Sequence, residues 1–261
     1  MTPPIRFDDG AAYERGMGQW SQLVGDTFLD WLAPEPGLRW IDIGCGNGAF
    51  TELVIRHCAP AAIDGLDPSS GQLAFARTRP GVEAATFHLG DAHALPFAES
   101  SADIAVMALV IFFLDDPAAG LAEMRRVVRP GGTVAAYAWD IPARSFPLEP
   151  IQAELRALGQ TPVLPPNAAI ASADNLWAAF ASAGLVDLRQ RAISVTRTFP
   201  DFEAFWTAAL GTGSMGAAID KLAPDQRDSF KQRVHGRLSA GADGSVSYSA
   251  SANAIAGLVP A

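Results

Sequence analysis

The run Trp40-Ile41-Asp42-Ile43-Gly44-Cys45-Gly46-Asn47-Gly48 constrains this chain more than any other part of it. An apolar stretch carries an acid, three glycines alternate with small residues, and Ala49-Phe50-Thr51-Glu52-Leu53-Val54 opens a helical pattern. A strand that turns on glycines into a helix lets a backbone approach a ligand closely, because no Cβ intervenes. The helix beyond it aims unpaired N–H groups and the positive end of its dipole at that ligand. The spacing is G-x-G-x-G, not the G-x-G-x-x-G of dinucleotide pyrophosphate turns. That difference, with the lack of a Tyr-x-x-x-Lys pair, argues against an NAD-dependent oxidoreductase.

The rest of the chain is arranged around that turn. Apolar residues at three- and four-residue spacing predict a helix over 11–33, closed by Pro34 and Pro36. Strands are expected at 38–43, 61–66, 82–89, 103–108 and 133–139. Between them lie helices to about Cys58, over 72–79 with Ser69 or Ser70 as cap, and over 117–128 with Asp115 or Asp116 as cap. Five alternations of strand and helix with short connections specify a doubly wound parallel α/β sheet. Beyond Asp140 the texture changes to a proline-rich segment with a helix near 151–158. A helix at 173–183, a strand at 185–199 and helices at 201–210 and 224–238 follow, the last two parted by the glycine-rich 211–216. The alternating run 245–258 reads as an antiparallel strand. The expected organisation is one domain over 1–261. It has a helical leader (1–36), a cofactor-binding core (37–140) and lid insertions (141–171 and 200–243).

Composition narrows the partners. The net charge is −9 with no Lys/Arg-rich run, so phosphate backbones are repelled and nucleic acid is excluded as a partner. Neither of the two cysteines, Cys45 and Cys58, belongs to a metal-ligand spacing or a disulfide framework, which suits a reducing compartment. The four histidines are scattered, and no metal is expected. Residues 1–10 carry Asp8 and Asp9 and lack the apolar region of a secretory signal. The run 104–114 is too short for a bilayer and fits a strand buried on both faces. A cytoplasmic protein without membrane contact is expected; oligomeric state is not legible.

Open α/β sheets bind ligands at the carboxyl ends of their strands. The residues there are the glycine turn, Asp67, Gly90-Asp91-Ala92, Ala108-Leu109 and Trp139-Asp140. Asp67 suits the two hydroxyls of a ribose. Asp91 suits an exocyclic amine, with the Ala92 N–H available to a ring nitrogen. Together they describe a nucleoside without a pyrophosphate.

With those residues in hand, the chain resembles the class I S-adenosylmethionine-dependent methyltransferases. The resemblance rests on Ile41-Asp42-Ile43-Gly44-Cys45-Gly46-Asn47-Gly48, Leu66-Asp67-Pro68-Ser69, Gly90-Asp91-Ala92-His93-Ala94-Leu95-Pro96-Phe97 and the stretch Glu123 to Gly132. Tyr13-Glu14-Arg15-Gly16-Met17-Gly18-Gln19-Trp20-Ser21 also resembles a leader of the quinone-biosynthesis and small-molecule subgroup. The resemblance implies a seven-stranded Rossmann-like sheet of order 3-2-1-4-5-7-6 with its last strand antiparallel. It implies that Asp42, Gly44, Gly46 and Gly48 hold the methionine part of the cofactor and that Asp67, with Pro68, holds the ribose. Asp91 and Ala92 would hold the adenine, and the Ala108 backbone would receive the amino group. Phe112 and Phe113 stand where quinone-type relatives carry histidines, so no histidine base is carried over. Phe112, Phe113 and Trp139 follow strands four and five, where an acceptor must approach, and are candidate pocket residues. Asp140 is the one acid nominated as a base. Glu123 and the arginines after it read as a solvated helix face and a dipole-matched end. The function expected is methyl transfer from S-adenosylmethionine to a small, largely apolar molecule, the alternative being a non-catalytic protein that binds the same cofactor.

Overall fold

The computed structural model describes residues 14–210, 219–220 and 222–261. The expectations for residues 1–10, for Tyr13 and the start of the first helix, and for the loop 211–216 lie outside the described residues. A π-helical turn (Glu14–Gly18) leads into α1 (Gln19–Leu32), followed by β1 (Arg39–Ile43), α2 (Ala49–Cys58), β2 (Ala62–Asp67), α3 (Ser70–Ala76) and β3 (Ala85–Leu89). Then come β4 (Ala102–Ala108), α4 (Pro117–Val127), β5 (Val128–Trp139), α5 (Glu149–Ala157), α6 (Ala173–Ser182) and β6 (Val186–Phe199). The chain ends with α7 (Phe202–Leu210), α8 (Pro224–His235), β7 (Ser239–Ala240) and β8 (Val246–Leu258).

The sheet runs β3-β2-β1-β4-β5-β8-β6. The first five strands are parallel, and β8 is antiparallel to both β5 and β6. This is the expected order, with the final strand inserted between strands five and six. A two-residue strand, β7, is an addition to the expected seven and pairs with the start of β8. The centre of β4 is buried throughout, Ile104 to Met107 being at most 3% exposed, as a strand covered on both faces must be. Phe28 of α1 and Phe50 of α2 close on Tyr137 of β5 at centroid distances of 4.7 and 5.8 Å, joining the first two helices to the middle of the sheet.

Caps fall where side-chain oxygens are available. The Ser69 hydroxyl accepts the Gln72 N–H at 3.3 Å, and the Asp116 carboxylate accepts the Ala119 N–H at 3.1 Å. Several boundaries moved. β3 starts at Ala85 because the Ala85 N–H closes a turn on the Val82 carbonyl. β5 starts at Val128 instead of after the Pro130-Gly131-Gly132 stop. That tripeptide is carried within the strand as an irregularity opposite the Ala102–Ile104 register shift, with Gly131 at φ +71°. Helices α3 and α8 end three residues short of expectation, at Ala76 and His235.

After β5 the chain builds α5 over the strand ends and fastens it to α8. Glu154 is 4% exposed and accepts from Arg233 Nε and Arg237 Nε, both at 2.7 Å. The turn 168–171 is tied to the sheet by Asn253 Nδ2 donating to the Ala171 carbonyl at 2.9 Å. Asn167 N donates to the Phe112 carbonyl at 3.1 Å. No helix among the described residues is long and apolar enough to cross a membrane.

The Glu154 cluster predicts an asymmetry. Both arginines are more than 40% exposed and can turn to water, whereas the carboxylate cannot. Glu154→Gln should lower stability by roughly 1–2 kcal/mol, the loss of two charged hydrogen bonds. Arg233→Ala with Arg237→Ala should lower it by about 3 kcal/mol, since a buried charge is then left uncompensated. Urea unfolding of both variants checks this; a double variant more stable than Glu154→Gln contradicts it.

Candidate functional site

The glycine turn closes the C-terminal end of β1 against β2. Gly44 N and Cys45 N both donate to the Leu66 carbonyl, at 2.7 and 3.0 Å. Gly44 is at φ +73°, and a Cβ there would lie 2.5 Å from Val110 Cγ2, so both conformation and space demand glycine. Gly46, at φ +52°, differs: a Cβ would meet nothing within 4 Å, so its backbone is open to an incoming ligand. Gly48 caps α2 in the left-handed region. Burial raises the Cys45 thiol, which packs as a small apolar group.

Two carboxylates stand at this turn. Asp42 is 1% exposed; its Oδ2 accepts the Thr51 hydroxyl at 2.6 Å, while Oδ1 has no partner among the described residues. Burial pushes its carboxyl up to about 7 against the pull of the Thr51 hydrogen bond, and the Asp67 charge adds to the rise. Asp67, also buried, uses Oδ2 to accept Gly46 N at 2.9 Å and Oδ1 to accept Ser69 N at 2.8 Å. Its carboxyl is raised by burial despite those two donors. A pair of buried acids with one unmatched oxygen is short of positive charge and of hydrogen-bond donors.

Asp91 lies in the loop after β3. Its Oδ1 accepts both His93 N at 2.8 Å and the His93 ring Nδ1 at 2.6 Å, and the backbone donor leads in holding the carboxyl below its usual range. Oδ2 has no partner among the described residues, and Ala92 beside it is buried. His93 Nε2 reaches the Asp116 carbonyl at 3.1 Å, so this histidine braces the loop against the cap of α4. Glu123 departs from the solvated-face reading: it accepts Leu95 N at 2.8 Å and pairs with Arg126, which donates to the Phe97 and Leu95 carbonyls. The two residues clamp the loop that carries Asp91. Sequence reasoning did not find this, since a helical Glu-x-x-Arg pair reads as a surface ion pair and its backbone partners leave no pattern.

A second clamp was also missed. Glu14 accepts from Asn47 Nδ2 of the glycine turn at 2.7 Å and from Arg79 Nη1 at 2.9 Å. Arg79, 8% exposed, also donates to Glu52 at 2.7 Å. The leader is thereby fixed to the turn, to α2 and to the chain after α3. The only sequence signal was the leader itself.

Ala108 ends β4, and Leu109 after it is at φ +62° with its N–H on the Tyr137 carbonyl. Phe112 is buried and Phe113 half-buried in a short 3-10 turn, ring centroids 4.6 Å apart. Trp139 is 5% exposed, edge-on to Trp20 at 6.3 Å, and its indole N–H has no partner among the described residues. Asp140 uses Oδ1 to accept Ala143 N at 3.1 Å, capping the turn that leaves β5. Beyond that turn a cavity of about 400 Å³ is lined by the apolar Ile141, Phe146 and Leu164, by Arg144 and Thr161, and by α5. Ala168 and Ala169, which adjoin the Asn167–Phe112 hydrogen bond, close one wall. The structure thus brings Asp42, the three glycines and Asp67 together at one turn. Asp91 and Ala92 stand at the next strand end, and Asp140 beside the cavity.

Comparison with known proteins agrees with this geometry. Residues 41–136 match the family model described as a methyltransferase domain. The chain is 34% identical over 132 residues to the malonyl-[acyl-carrier protein] O-methyltransferase of Methylococcus capsulatus, covering 50% of this chain and 46% of that one. It is 29% identical over 184 residues to the ubiquinone/menaquinone biosynthesis C-methyltransferase of Dinoroseobacter shibae, covering 69% of this chain and 67% of the relative. The chain spans about half the length of the first of these curated relatives. The fold is similar to phosphoethanolamine N-methyltransferase 2 of Haemonchus contortus, solved in complex with S-adenosyl-L-methionine. That likeness has TM-score 0.58 at 18% identity and covers 97% of this chain and 57% of that one. Glycine turn, sheet order, family model and relatives agree, and residues 41–136 form a methyltransferase domain of the class I S-adenosylmethionine-dependent kind.

Proposed function

We propose that this protein transfers the methyl group of S-adenosylmethionine to a small, largely apolar acceptor by in-line displacement. The observation that carries the reading is the pair of buried carboxylates, Asp42 and Asp67, at a turn whose backbone is open at Gly46. The residues fit the cofactor: an unmatched Asp42 oxygen and a raised acid pair suit a ligand bearing a sulfonium, an ammonium and a ribose. When bound, S-adenosylmethionine supplies a methyl group on a positively charged sulfur that departs as a neutral thioether.

Each Asp67 oxygen is engaged by one backbone donor and keeps a second lone pair for a ribose hydroxyl, with Pro68 shaping the turn. Asp42, Gly44, Gly46 and Gly48 surround the methionine part, and the Ala108 carbonyl takes its amino group. Asp91 uses its free Oδ2 for the adenine amine, with the Ala92 N–H for a ring nitrogen. The segments 141–171 and 200–243 act as the lid of a single domain over 1–261. Their task is to align acceptor and methyl donor, which is worth roughly 7–11 kcal/mol, and to keep water out. Phe112, Phe113 and Trp139 follow β4 and β5, on the acceptor's path of approach to the methyl donor; an aromatic face near a cationic centre adds ~0.5–2 kcal/mol. Asp140, half-buried with Oδ2 unengaged among the described residues, is the acid placed to take a proton from a hydroxyl or amine acceptor. The net charge of −9 supports a partner other than nucleic acid, and the buried free thiols of Cys45 and Cys58 support a cytoplasmic setting.

Radiolabelled methyl transfer from S-adenosylmethionine to a small-molecule panel tests the reading; tight cofactor binding with a broad null would instead mark a binding protein. Asp67→Ala should weaken S-adenosylhomocysteine binding at least tenfold, about 1.4 kcal/mol, read by calorimetry. Unchanged affinity removes Asp67 from the ribose site.

Asp42 makes binding depend on pH. A cationic ligand favours its carboxylate form, so binding releases a proton and affinity is lost as pH falls through about 7. Between pH 6 and 8 the S-adenosylmethionine affinity of the wild type should rise about tenfold relative to Asp42→Asn. Calorimetry in two buffers of different ionisation enthalpy would show the proton release. Parallel pH profiles for the two proteins would sink the assignment.

A further inference from the structure

The cavity beyond β5 has a chemical asymmetry that the cofactor site does not explain. Away from α5 its surface is mostly apolar, built by Ile141, Phe146 and Leu164, with Arg144 and Thr161 as the polar residues there. The other side is a single face of α5, where Glu149, Gln152 and Arg156 follow one another at helical spacing. Polar residues on a helix face normally meet water, yet Gln152 is 5% exposed. Its Oε1 is buried with no partner among the described residues, and so is Glu149 Oε2. Glu149 Oε1 is held by Arg156, which neutralises the carboxylate and leaves Oε2 as the second unmatched acceptor. Orientation of α5 is fixed from its other side by Glu154 on Arg233 and Arg237, so these oxygens cannot be relieved by rolling the helix.

Buried acceptors without donors mark the place of a group that donates. We propose that this cavity is the acceptor pocket and that it selects a molecule with an apolar body and a hydrogen-bond-donating hydroxyl or amine, seated on Gln152 Oε1 and Glu149 Oε2. The inference rests on the methyltransferase reading and names the substrate class it lacked. Position supports it. Ile141 and Pro142 follow directly on Asp140 at the end of β5, and Ala168 and Ala169 adjoin the hydrogen bond from Asn167 to Phe112 beyond β4. The cavity therefore lies beyond the carboxyl ends of β4 and β5, on the same edge of the parallel sheet as the glycine turn after β1. Its volume of about 400 Å³ holds a molecule the size of a phenylalkanol. The inverse chemistry, an acceptor-only ligand such as an ether or ester, would leave both oxygens unmatched.

A matched pair of probes separates these cases: 4-phenylbutan-1-ol and its methyl ether share the body and the oxygen, but only the alcohol donates. Ligand-observed NMR titration of the full chain, with and without S-adenosylhomocysteine, should show the alcohol binding at least fivefold tighter. Gln152→Leu should abolish that preference while changing S-adenosylhomocysteine affinity less than twofold, and Gln152→Met serves should the leucine variant fail to fold. Equal binding of the two probes, binding of neither, or a preference that survives Gln152→Leu overturns the proposal. Failure of the wild type to bind S-adenosylhomocysteine would instead overturn the cofactor reading, and the alcohol–ether difference would still decide the pocket.

Discussion

The carboxylate of Asp67 is the point on which the site depends. Burial without donors would make a charge there very costly, and the chain answers with two backbone N–H groups drawn from either side. Gly46 N comes from the turn after β1, and Ser69 N from the turn that opens α3. One side chain thereby sets the shape of the glycine turn, the entry to a helix and the distance between them. Parallel pairing of Ile43 with Leu66 puts the Leu66 carbonyl under Gly44 and Cys45, so strand register and ligand geometry are one fact. A change that slipped β2 by a residue would reverse the faces of its side chains and move the Leu66 carbonyl and Asp67 away from the turn.

Around that anchor, clamps from distant parts of the chain hold the remaining loops. Glu123 and Arg126 on α4 grip the main chain at Leu95 and Phe97, which places Asp91 and Ala92 at their strand end. Glu14 of the leader grips Asn47 and Arg79, and Arg79 in turn grips Glu52 on α2. Each clamp joins a charged side chain to a loop that lacks helical or sheet bonding of its own. Loops need such partners because their backbone polar groups are otherwise unpaired. The electrostatics follow the same plan: the two buried acids at the turn have no basic partner among the described residues, and Asp42 Oδ1 stays unmatched.

The core of this arrangement was legible because it rests on local rules. Glycines at 44, 46 and 48, acids near the ends of β1, β2, β3 and β5 and the alternation of apolar runs are patterns within a few residues of one another. Sheet order followed from the resemblance. The clamps were illegible because their partners are backbone atoms or lie 27 to 65 residues away, and neither leaves a periodic trace. The start of β5 was misplaced since Pro130-Gly131-Gly132 has the composition of a stop, while the neighbouring strand accommodates it as an irregularity. Asp140 shows a subtler limit. The same residue type suits a proton acceptor and a turn cap, and the structure shows it serving as a cap through one oxygen.

The glycine turn and the cavity lie in different parts of the chain. The family match ends at residue 136, before Asp140 and before every residue that lines the cavity. Relatives that share the matched core are named as O- and C-methyltransferases, so the core does not determine which atom is methylated. Glu149, Gln152 and Arg156 were invisible as site residues because a polar helix face reads as solvent-facing. What turns that face inward is Glu154 on the opposite side, locked by Arg233 of α8 and by Arg237 just beyond it. Substitutions on the inward face can therefore reshape the cavity without touching the Asp67 anchor. The two faces of one short helix divide the work, one holding α5 in place and the other lining the cavity beneath it.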